Sequence, residues 1–333
     1  MSDLIAASSE ERLFLSLNRP RKLNVLNDAI IDQGLEELYR FKGDKVVIFA
    51  EGEKAFCAGG DVVDVVSKVR EGRDWDFFFK KEYEFDQRLH QFSGKTQAFA
   101  HGIIMGGGMG IFQACQERIA SDDALLSMPE ITIGFFPDVG ASYFLQKAPR
   151  HWQIFMALTG ARVPALWARE IGLVDKCIRA EDLFNLREKA RNLSPIGEVE
   201  ESEQRACEDF DHTDNELKAL LDFEELSQFD EWAHHYQGEN KFIQKSLSFY
   251  LSGSPLSKVV IWDQLQKMPG LSLTEAFKRD LFYAYCCHRG GDFSEGVRAL
   301  LIDKDQRPEW NYASLSEALE AFRCFSQEMA SLS

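Results

Sequence analysis

The sequence predicts an α/β protein with largely parallel strands, followed by a helical C-terminal region. Short apolar runs alternate with segments whose apolar residues recur at helical spacing, and glycine-rich loops follow two of the predicted strands. Strands separated by helices pair in parallel, because each helix returns the chain to the same edge of the sheet. No segment repeats at a fixed period, so a solenoid or a propeller is not indicated.

The first 193 residues supply the predicted strands and the helices between them. The strands are expected, in chain order, at 13–17, 46–50, 96–100, 117–121 and 124–127. The run at 46–50 is continuously apolar, which is typical of a buried parallel strand. The helices are expected at 28–39, with a cap at Asn27 or Asp28, and at 74–92, 109–116, 141–147, 151–158, 164–171 and 181–193. Residues 57–61 and 128–140 are predicted loops.

An acidic segment marks the boundary that we predict between two regions. Residues 198–216 contain nine acidic residues and one basic residue, Arg205, as a solvated connector or helix face does. We therefore expect a core over 1–197 that carries the functional site, and a helical region over 198–333. Within that region, helices are expected at 216–221, 226–235, 241–250, 258–266 and 273–288.

The composition excludes several classes of protein. The formal net charge of −16 argues against a nucleic-acid binder and against binding to an anionic membrane surface. No apolar run approaches the roughly 20 residues of a membrane span, and the acidic N-terminus lacks a basic leader, so we expect a cytoplasmic location. Seven scattered cysteines without a CxxC pair predict free thiols, with neither a disulfide framework nor a metal site.

Two glycine loops could bind a negatively charged oxygen through main-chain N–H groups. The first is Cys57-Ala58-Gly59-Gly60-Asp61, and the second, Gly106-Gly107-Gly108, opens a predicted helix. The first N–H groups of a helix have no partner within it, and glycine lets a ligand approach them closely. Such groups suit a carbonyl oxygen that becomes an oxyanion. The alternative is that these glycines only form tight turns, and neither loop matches a nucleotide-binding motif.

Two carboxyl side chains, Glu130 and Asp138, lie eight positions apart in an otherwise apolar loop. Apolar surroundings raise the pKa of a carboxyl group, which can then transfer protons near neutral pH. The alternative is that each one caps a helix or pairs with a base, and Asp138 could cap the helix expected at 141. Glu82 lies on the aromatic helix expected at 74–92, where an exposed charge is the simpler interpretation. Ser142 lies in no GxSxG motif, so a serine hydrolase is not indicated.

Several motifs, taken in order, resemble the crotonase superfamily, also called the enoyl-CoA hydratase/isomerase superfamily. They are Asn18-Arg19-Pro20 with residues 23–26, residues 55–61, His101-Gly102 with residues 106–108, and Met128-Pro129-Glu130. Residues 128–140 and 292–305 more narrowly resemble 3-hydroxyisobutyryl-CoA hydrolases. The resemblance extends from about residue 12 to about residue 310.

The resemblance implies a fold, a substrate and a set of site residues. The fold would be a crotonase-like spiral of repeated ββα units with a helical C-terminal region. The substrate would be a short branched 3-hydroxyacyl-CoA thioester of valine catabolism, hydrolysed to a free acid and CoA without a separate cofactor. Main-chain N–H groups of Gly60 and Gly107 would form the oxyanion hole. The remaining residues implied are the catalytic acids Glu130 and Asp138 and the substrate-binding residues Glu82, Arg21, Lys22, Leu23, Ala58 and Asp61. The family also implies a homo-oligomer, either a trimer or a hexamer, or a smaller assembly.

Departures from the family pattern bear on the choice of reaction. Hydratases of this superfamily use two glutamates, and the position of the first is Gly110 here, which carries no carboxyl group. Gly291 and Ser294 stand where the hydrolases often carry histidines, which leaves the acyl group open. One alternative is an enoyl-CoA isomerase or hydratase that uses Glu130 alone. Another is a non-catalytic interaction protein with the same fold.

Overall fold

The computed structural model describes residues 2–197, 199–202, 206 and 208–332. The chain divides into two compact units. The first unit is drawn from residues 1–61, 80–127 and 162–207, and the second from residues 62–79, 128–161 and 208–333. The boundary predicted at residue 198 falls outside the described residues and stays a prediction.

The strands of the described residues all belong to the first unit. In chain order they are β1 (Leu4–Ser8), β2 (Arg12–Leu17), β3 (Lys45–Ala50), β4 (Ala55–Cys57), β5 (Lys95–Ala100), β6 (Ile103–Met105), β7 (Glu117–Ser121), β8 (Leu125–Ser127), β9 (Val163–Pro164) and β10 (Lys176–Ile178). They form a six-stranded sheet, β1-β2-β3-β5-β7-β10, and a four-stranded sheet, β4-β6-β8-β9. Only β1 in the larger sheet and β9 in the smaller sheet pair antiparallel to their neighbour.

The larger sheet is covered by an apolar core. Phe49 on β3 and Phe99 on β5 stack with ring centroids 4.5 Å apart, because adjacent parallel strands place these side chains on one face. Both are fully buried. The cluster around them comprises Phe14, Val47, Ile119, Ile178, Leu183 and Ala190. Burial of side chains of this size stabilises the folded state by about 1.5–3 kcal/mol each.

The helices, in chain order, are α1 (Asp28–Arg40), α2 (Val62–Arg70), α3 (Phe77–His90), α4 (Gly107–Ala114), α5 (Ala141–Phe144), α6 (Arg150–Thr159), α7 (Ala165–Glu170), α8 (Ala180–Arg191), α9 (Glu208–Leu217), α10 (Leu226–His235), α11 (Lys241–Ser252), α12 (Pro255–Lys267), α13 (Leu273–Gly290), α14 (Asp292–Val297) and α15 (Leu315–Leu332). The second unit contains α2, α5, α6 and α9 to α15, whereas α3 begins there and continues in the first unit. No helix in the described part of the chain combines the length and apolar character of a membrane span.

Side-chain caps fix where several of these helices begin. The Asn27 side chain accepts a hydrogen bond from the Ile30 N–H at the start of α1, as the sequence predicts. Ser272 and Glu275 form a reciprocal capping box at the start of α13. Ser254 caps α12, and Pro255 occupies its first position, where a missing N–H costs nothing.

The acidic segment contributes to the core of the second unit. Asp214 on α9 accepts a hydrogen bond from the Trp152 Nε1 atom at 2.8 Å and lies 2.7 Å from the His151 Nε2 atom. The Trp152 ring is buried and stacks on Phe210, with ring centroids 5.9 Å apart. Part of the run expected to be a solvated connector or helix face is therefore a packed helix.

Most elements follow the sequence-based prediction, and the α/β class is confirmed. Each predicted strand is present within one residue of its expected bounds. The loop expected over 128–140 contains a 3-10 turn, Glu130–Ile133, and residues 218–222 form a second 3-10 turn where a helix was expected. The sequence did not predict the strands β1, β4, β6, β9 and β10 or the helices α2, α9, α14 and α15.

Candidate functional site

The first glycine loop leaves the N–H of Gly60 outside the local hydrogen-bond ladder. A short parallel bridge pairs Gly60 with Leu26. The Leu26 N–H donates to the Gly59 carbonyl at 2.8 Å, and the Asp61 N–H donates to the Leu26 carbonyl at 2.7 Å. Because this bridge uses the carbonyl before Gly60 and the N–H after it, the Gly60 N–H is available to a ligand.

The second glycine loop begins α4 at Gly107, as the sequence predicts. Its N–H is one of the first in the helix and has no partner within it. A side chain at Gly107 would collide with the Glu82 carboxyl group and touch Leu26, and one at Gly108 would collide with the backbone of Cys57. Neighbouring atoms approach both positions so closely that a larger residue would force them to move. The two glycines therefore do more than form a tight turn.

Glu82 lies beside this second loop. It is only 3% exposed on α3, so the simpler interpretation of Glu82 as an exposed helical charge is wrong. Its Oε1 atom faces Gly107. With Asp86, the same carboxyl group helps to raise the pKa of the buried Cys57 thiol to about 12, although desolvation of the thiol is the larger cause. That thiol is therefore protonated and unreactive at neutral pH.

Three of the expected substrate-binding residues, Arg21, Lys22 and Leu23, lie on a tight loop in the same unit. Arg21 and Lys22 are exposed and end a 3-10 turn, where Leu23 adopts a left-handed conformation with φ of 52°. The Ala58 N–H donates to the Leu23 carbonyl at 3.0 Å, which joins this loop to the first glycine loop. The Lys22 Nζ atom lies 3.8 Å from the Asp61 carboxylate, so the cationic groups are placed beside the loop that carries Gly60.

Two buried or half-buried residues that sequence reasoning did not single out hold this loop. The Asn24 side chain is fully buried and donates to the carbonyls of Glu51 and Ala55 at 2.9 and 2.8 Å. Arg19 donates to the Val25 carbonyl at 2.8 Å and to Asp61 at 3.0 Å. Both residues belong to the motif at 18–26, and their place in that motif was the signal that could have identified them.

Glu130 lies in the second unit, at the start of the 3-10 turn Glu130–Ile133. Its side chain is buried, and its Oε2 atom has no hydrogen-bond partner in the described part of the chain. Burial raises the pKa of Glu130 well above its usual range, and the nearby Asp138 carboxylate raises it further. Glu130 can therefore hold and release a proton closer to neutral pH than an ordinary glutamate.

Asp138 is buried in the same unit and does not cap the helix that follows. Gly140 is the N-terminal cap of α5, and no side chain caps this helix. The Ala141 N–H instead donates to the main-chain carbonyl of Asp138 at 2.8 Å. The alternative role of Asp138 as a side-chain cap of this helix is thus wrong.

The predicted site residues fall into two sets. The first unit holds one set, namely Gly60, Gly107, Glu82, Arg21, Lys22, Leu23, Ala58 and Asp61. The second unit holds the acids Glu130 and Asp138 and adds Asp280, a fully buried carboxyl group that the sequence did not single out. No group of three or more His, Cys, Asp or Glu side chains among the described residues could hold a metal ion.

Comparisons with known proteins identify the family of this chain. The family model described as enoyl-CoA hydratase/isomerase matches residues 13–322. The mitochondrial 3-hydroxyisobutyryl-CoA hydrolase of Danio rerio is 31% identical, over 94% of this chain and 86% of its own length. Its Homo sapiens counterpart is 32% identical, over 92% of this chain and 83% of its own length.

Solved structures share the fold over nearly the whole chain. An enoyl-CoA hydratase from Rhodobacter sphaeroides superposes with a TM-score of 0.84 at 26% identity, over 96% of this chain and 97% of its own. A carnitinyl-CoA dehydratase from Mycobacterium thermoresistibile superposes with a TM-score of 0.83 at 23% identity, over 97% and 96%. The fold expected from the sequence motifs is confirmed, and the chain belongs to the enoyl-CoA hydratase/isomerase, or crotonase, family.

Proposed function

We propose that this protein hydrolyses a short branched 3-hydroxyacyl-CoA thioester, of the 3-hydroxyisobutyryl-CoA type formed in valine breakdown, to a free acid and CoA. The observation that carries the proposal is the buried pair Glu130 and Asp138, in which the pKa of Glu130 is raised by burial and by its neighbour. The relatives named 3-hydroxyisobutyryl-CoA hydrolase, at about 30% identity, support the same reaction.

In this proposal the main-chain N–H groups of Gly60 and Gly107 bind the thioester oxygen. That oxygen gains negative charge as the carbonyl carbon becomes tetrahedral, and each fixed donor stabilises the transition state by about 3 kcal/mol. The bridge geometry at Gly60 and the helix start at Gly107 support this role, because neither N–H donates to a main-chain carbonyl within the described part of the chain.

Glu130 acts at the carbonyl carbon by one of two routes. In the first, its carboxylate attacks the carbon and expels the CoA thiolate, and water then hydrolyses the mixed anhydride. In the second, Glu130 takes a proton from a water molecule, which attacks the carbon directly. Both routes consume one water molecule and leave the acid and the CoA thiol. A raised pKa strengthens Glu130 as a base in the second route.

Asp138 and Glu82 have supporting roles in the proposal. Asp138 binds the 3-hydroxyl group of the acyl chain or delivers a proton to the departing thiolate. Glu82, buried beside Gly107, helps to hold the small acyl group. Arg21 and Lys22 offer the local positive charge that an anionic CoA moiety needs on a protein of net charge −16.

A thiol-release screen tests the proposal. The purified protein is incubated with CoA thioesters of short 3-hydroxyacyl, saturated acyl and enoyl groups, and free thiol is measured with a chromogenic reagent. We expect the fastest release from a branched 3-hydroxyacyl thioester. Double-bond migration or hydration without thiol release would contradict hydrolysis and favour an isomerase or hydratase, whereas failure to bind any acyl-CoA would favour a non-catalytic protein.

Glu130→Gln should abolish turnover while largely preserving substrate binding. The amide has nearly the same shape as the carboxyl group but can neither attack the carbonyl carbon nor accept a proton. We expect kcat to fall by about 1,000-fold or more, as removal of a nucleophile or general base does. Glu117→Gln on β7 is the control. Near-normal hydrolysis by Glu130→Gln would show that Glu130 is neither the nucleophile nor the general base.

Oxygen-18 labelling separates the two routes. A single turnover in labelled water is followed by mass spectrometry of the peptide that contains Glu130. If an anhydride forms and water attacks its Glu130 carbonyl, the label enters the Glu130 carboxyl group and the acid product stays unlabelled. Direct attack by water always labels the acid product, so label in the peptide with none in the acid would exclude direct attack. Label in the acid alone would exclude water attack at the Glu130 side of an anhydride.

A further inference from the structure

The turn that carries Asp138 has a strained backbone. Residues 137–140, here called the Asp138 turn, include two successive residues in the left-handed region, Val139 with φ of 49° and Gly140 with φ of 79°. A β-branched residue rarely adopts such a conformation, because its Cβ atom then crowds the backbone. Strain of this kind persists only where surrounding groups hold the chain in place.

Two buried polar side chains hold the two ends of the Asp138 turn. The Gln264 Nε2 atom on α12 donates to the Pro137 carbonyl at 2.6 Å. The Gly140 N–H donates to the Asp280 Oδ2 atom on α13 at 2.8 Å. Gln264 is 1% exposed and Asp280 is fully buried, so water cannot replace either bond. Asp138 and Val139, whose backbone is strained, lie between these two anchors.

The packing around Gly140 limits the turn to this arrangement. A Cβ atom at Gly140 would lie 3.1 Å from Leu273 and 3.4 Å from Phe277, both on α13. The N–H of Ala141 is already bound to the Asp138 carbonyl at the start of α5. The backbone at Asp138 is therefore held by the anchors at both ends of its turn.

Asp280 accepts the hydrogen bond from Gly140 in surroundings that favour its neutral form. Burial raises the pKa of Asp280 well above its usual range, and the nearby Asp138 carboxylate raises it further. Its Oδ1 atom has no hydrogen-bond partner among the residues that the structure describes. A neutral carboxyl group keeps its carbonyl oxygen as an acceptor for the Gly140 N–H. An asparagine has an oxygen in the same place and is also neutral.

We infer that Gln264 and Asp280 are positioning residues for the reaction proposed above, and that together they fix the Asp138 turn so that Asp138 reaches the substrate. The inference rests on the proposed function for its activity measurements. It assigns no direct contact between either residue and the substrate. A misplacement of a reacting group by about 1 Å from a distant substitution can lower the rate by about 100-fold.

The test compares shape-conserving and bond-breaking variants. Asp280→Asn retains the acceptor for Gly140, so we expect kcat within about 3-fold of the wild type. Asp280→Leu and Gln264→Leu each remove one anchor, and we expect kcat to fall by about 30-fold or more with KM changed less than about 3-fold. This pattern separates positioning from loss of substrate binding, which would raise KM instead.

A matched control loses the same kind of bond elsewhere in the second unit. The Gln153 Nε2 atom on α6 donates to the Ala148 carbonyl at 2.8 Å, and Gln153 is also buried. Gln153→Leu should therefore cost similar stability but leave kcat unchanged. If Gln153→Leu lowers kcat as much as Gln264→Leu does, general destabilisation explains both results and the inference is wrong.

Amide hydrogen exchange gives a readout that does not depend on activity. Peptides that span residues 135–146 should exchange faster in Asp280→Leu than in the wild type or Asp280→Asn, because the Gly140 N–H loses its acceptor. If the wild type hydrolyses no thioester, the proposed function fails while this exchange pattern still tests the anchors.

If Asp280→Leu fails to fold, Gln264→Leu and Asp280→Asn still test whether the two anchors position Asp138. Unchanged kcat in folded Gln264→Leu, or a large loss in Asp280→Asn, would overturn the inference.

Discussion

At the scale of single residues, the chemistry depends on where carboxyl groups lose contact with water. The Asp138 carboxylate raises the pKa of both Glu130 and Asp280, and burial is the larger cause at each. Glu130 and Asp280 both favour their protonated forms, and both lie near Asp138. Such a group of acids can transfer protons without a histidine. His101 is a poor alternative base, because burial lowers its pKa to about 4 and its ring packs against Phe184.

Gly107→Ala should inactivate the enzyme through sterics alone. The added methyl group would collide with the Glu82 carboxyl group and touch Leu26, so the loop or the side chain must move. Loss of one oxyanion donor lowers kcat by about 100- to 1,000-fold, and we expect a fall of that size. Thiol release by single turnover measures it. Gly197→Ala, where the methyl group meets no atom within 4 Å, is the control.

An active Gly107→Ala variant would be informative. If kcat stayed within a few-fold of the wild type while the protein remained folded, the Glu82 side chain would have moved to accommodate the methyl group, and the expected displacement of the Gly107 N–H would be wrong. A Glu82→Gln variant changes the Glu82 side chain but leaves the backbone at Gly107 in place. Comparison of its kcat with that of Gly107→Ala separates the effect of disturbing Glu82 from the effect of moving the Gly107 N–H.

At the scale of elements, a helix remote in sequence holds the turn that presents Glu130. Here α14 packs against the 3-10 turn Glu130–Ile133. Gly134 approaches the backbone of Asp292 so closely that a Cβ atom would collide with it. Asp292 is in turn anchored by the Ser254 hydroxyl group at 2.6 Å and by the Asn311 N–H at 2.8 Å. This arrangement gives the distal family motif at 292–305 a structural role near Glu130.

Gly296→Ala should disturb this contact from the helix side. A methyl group at Gly296 would collide with the backbone of Ile133, which cannot move as freely as a side chain. Overpacking of this kind costs about 1–3 kcal/mol of stability, and we expect kcat to fall by about 10-fold as Glu130 shifts. Denaturant unfolding and thiol release measure the two effects, again against Gly197→Ala. Unchanged values for both would show that α14 does not set the position of the Glu130 turn.

The elements that the sequence predicted are those with a strong local signal. The run at β3 is continuously apolar, and Asn27 caps α1 as expected. The strands β4 and β6 were missed because three residues are too few to show a period. The helix α9 was missed because acidic residues dominate it, although its Asp214 joins the core through Trp152.

At the scale of the whole molecule, ordered motifs predicted the family and the fold, but the anchors of the site were not predictable. Gly60, Gly107 and Glu130 lie in motifs that can be recognised locally in the sequence. Asp280 is 140 positions away from Gly140, and Gln264 is 127 positions away from Pro137. No local pattern links such pairs, because the contact exists only once α12 and α13 pack against the Asp138 turn.

The buried acid at Asp280 should also make the stability of the folded protein depend on pH. Because the folded-state pKa of Asp280 is raised, the folded chain binds this proton more tightly than the unfolded chain. The stability that this bound proton contributes to the folded state is therefore complete below the unfolded pKa of about 3.9. It is lost as pH rises through the folded pKa. The loss amounts to about 1.4 kcal/mol for each unit of pKa difference.

Asp280→Asn removes this titration while keeping the hydrogen bond to Gly140, so the variant should gain stability relative to the wild type as pH rises from about 5 to 8. Denaturant unfolding at several pH values measures the difference. Glu295→Gln is the contrasting control, because hydrogen bonds from Arg298 lower the pKa of Glu295. The stability that Glu295 contributes is lost only as pH falls below the usual glutamate range. The difference in unfolding free energy between Glu295→Gln and the wild type should therefore stay constant from about pH 5 to 8. A flat difference for Asp280→Asn as well would mean that Asp280 is ionised in the folded protein, and that the negative charge of the buried acids is distributed differently.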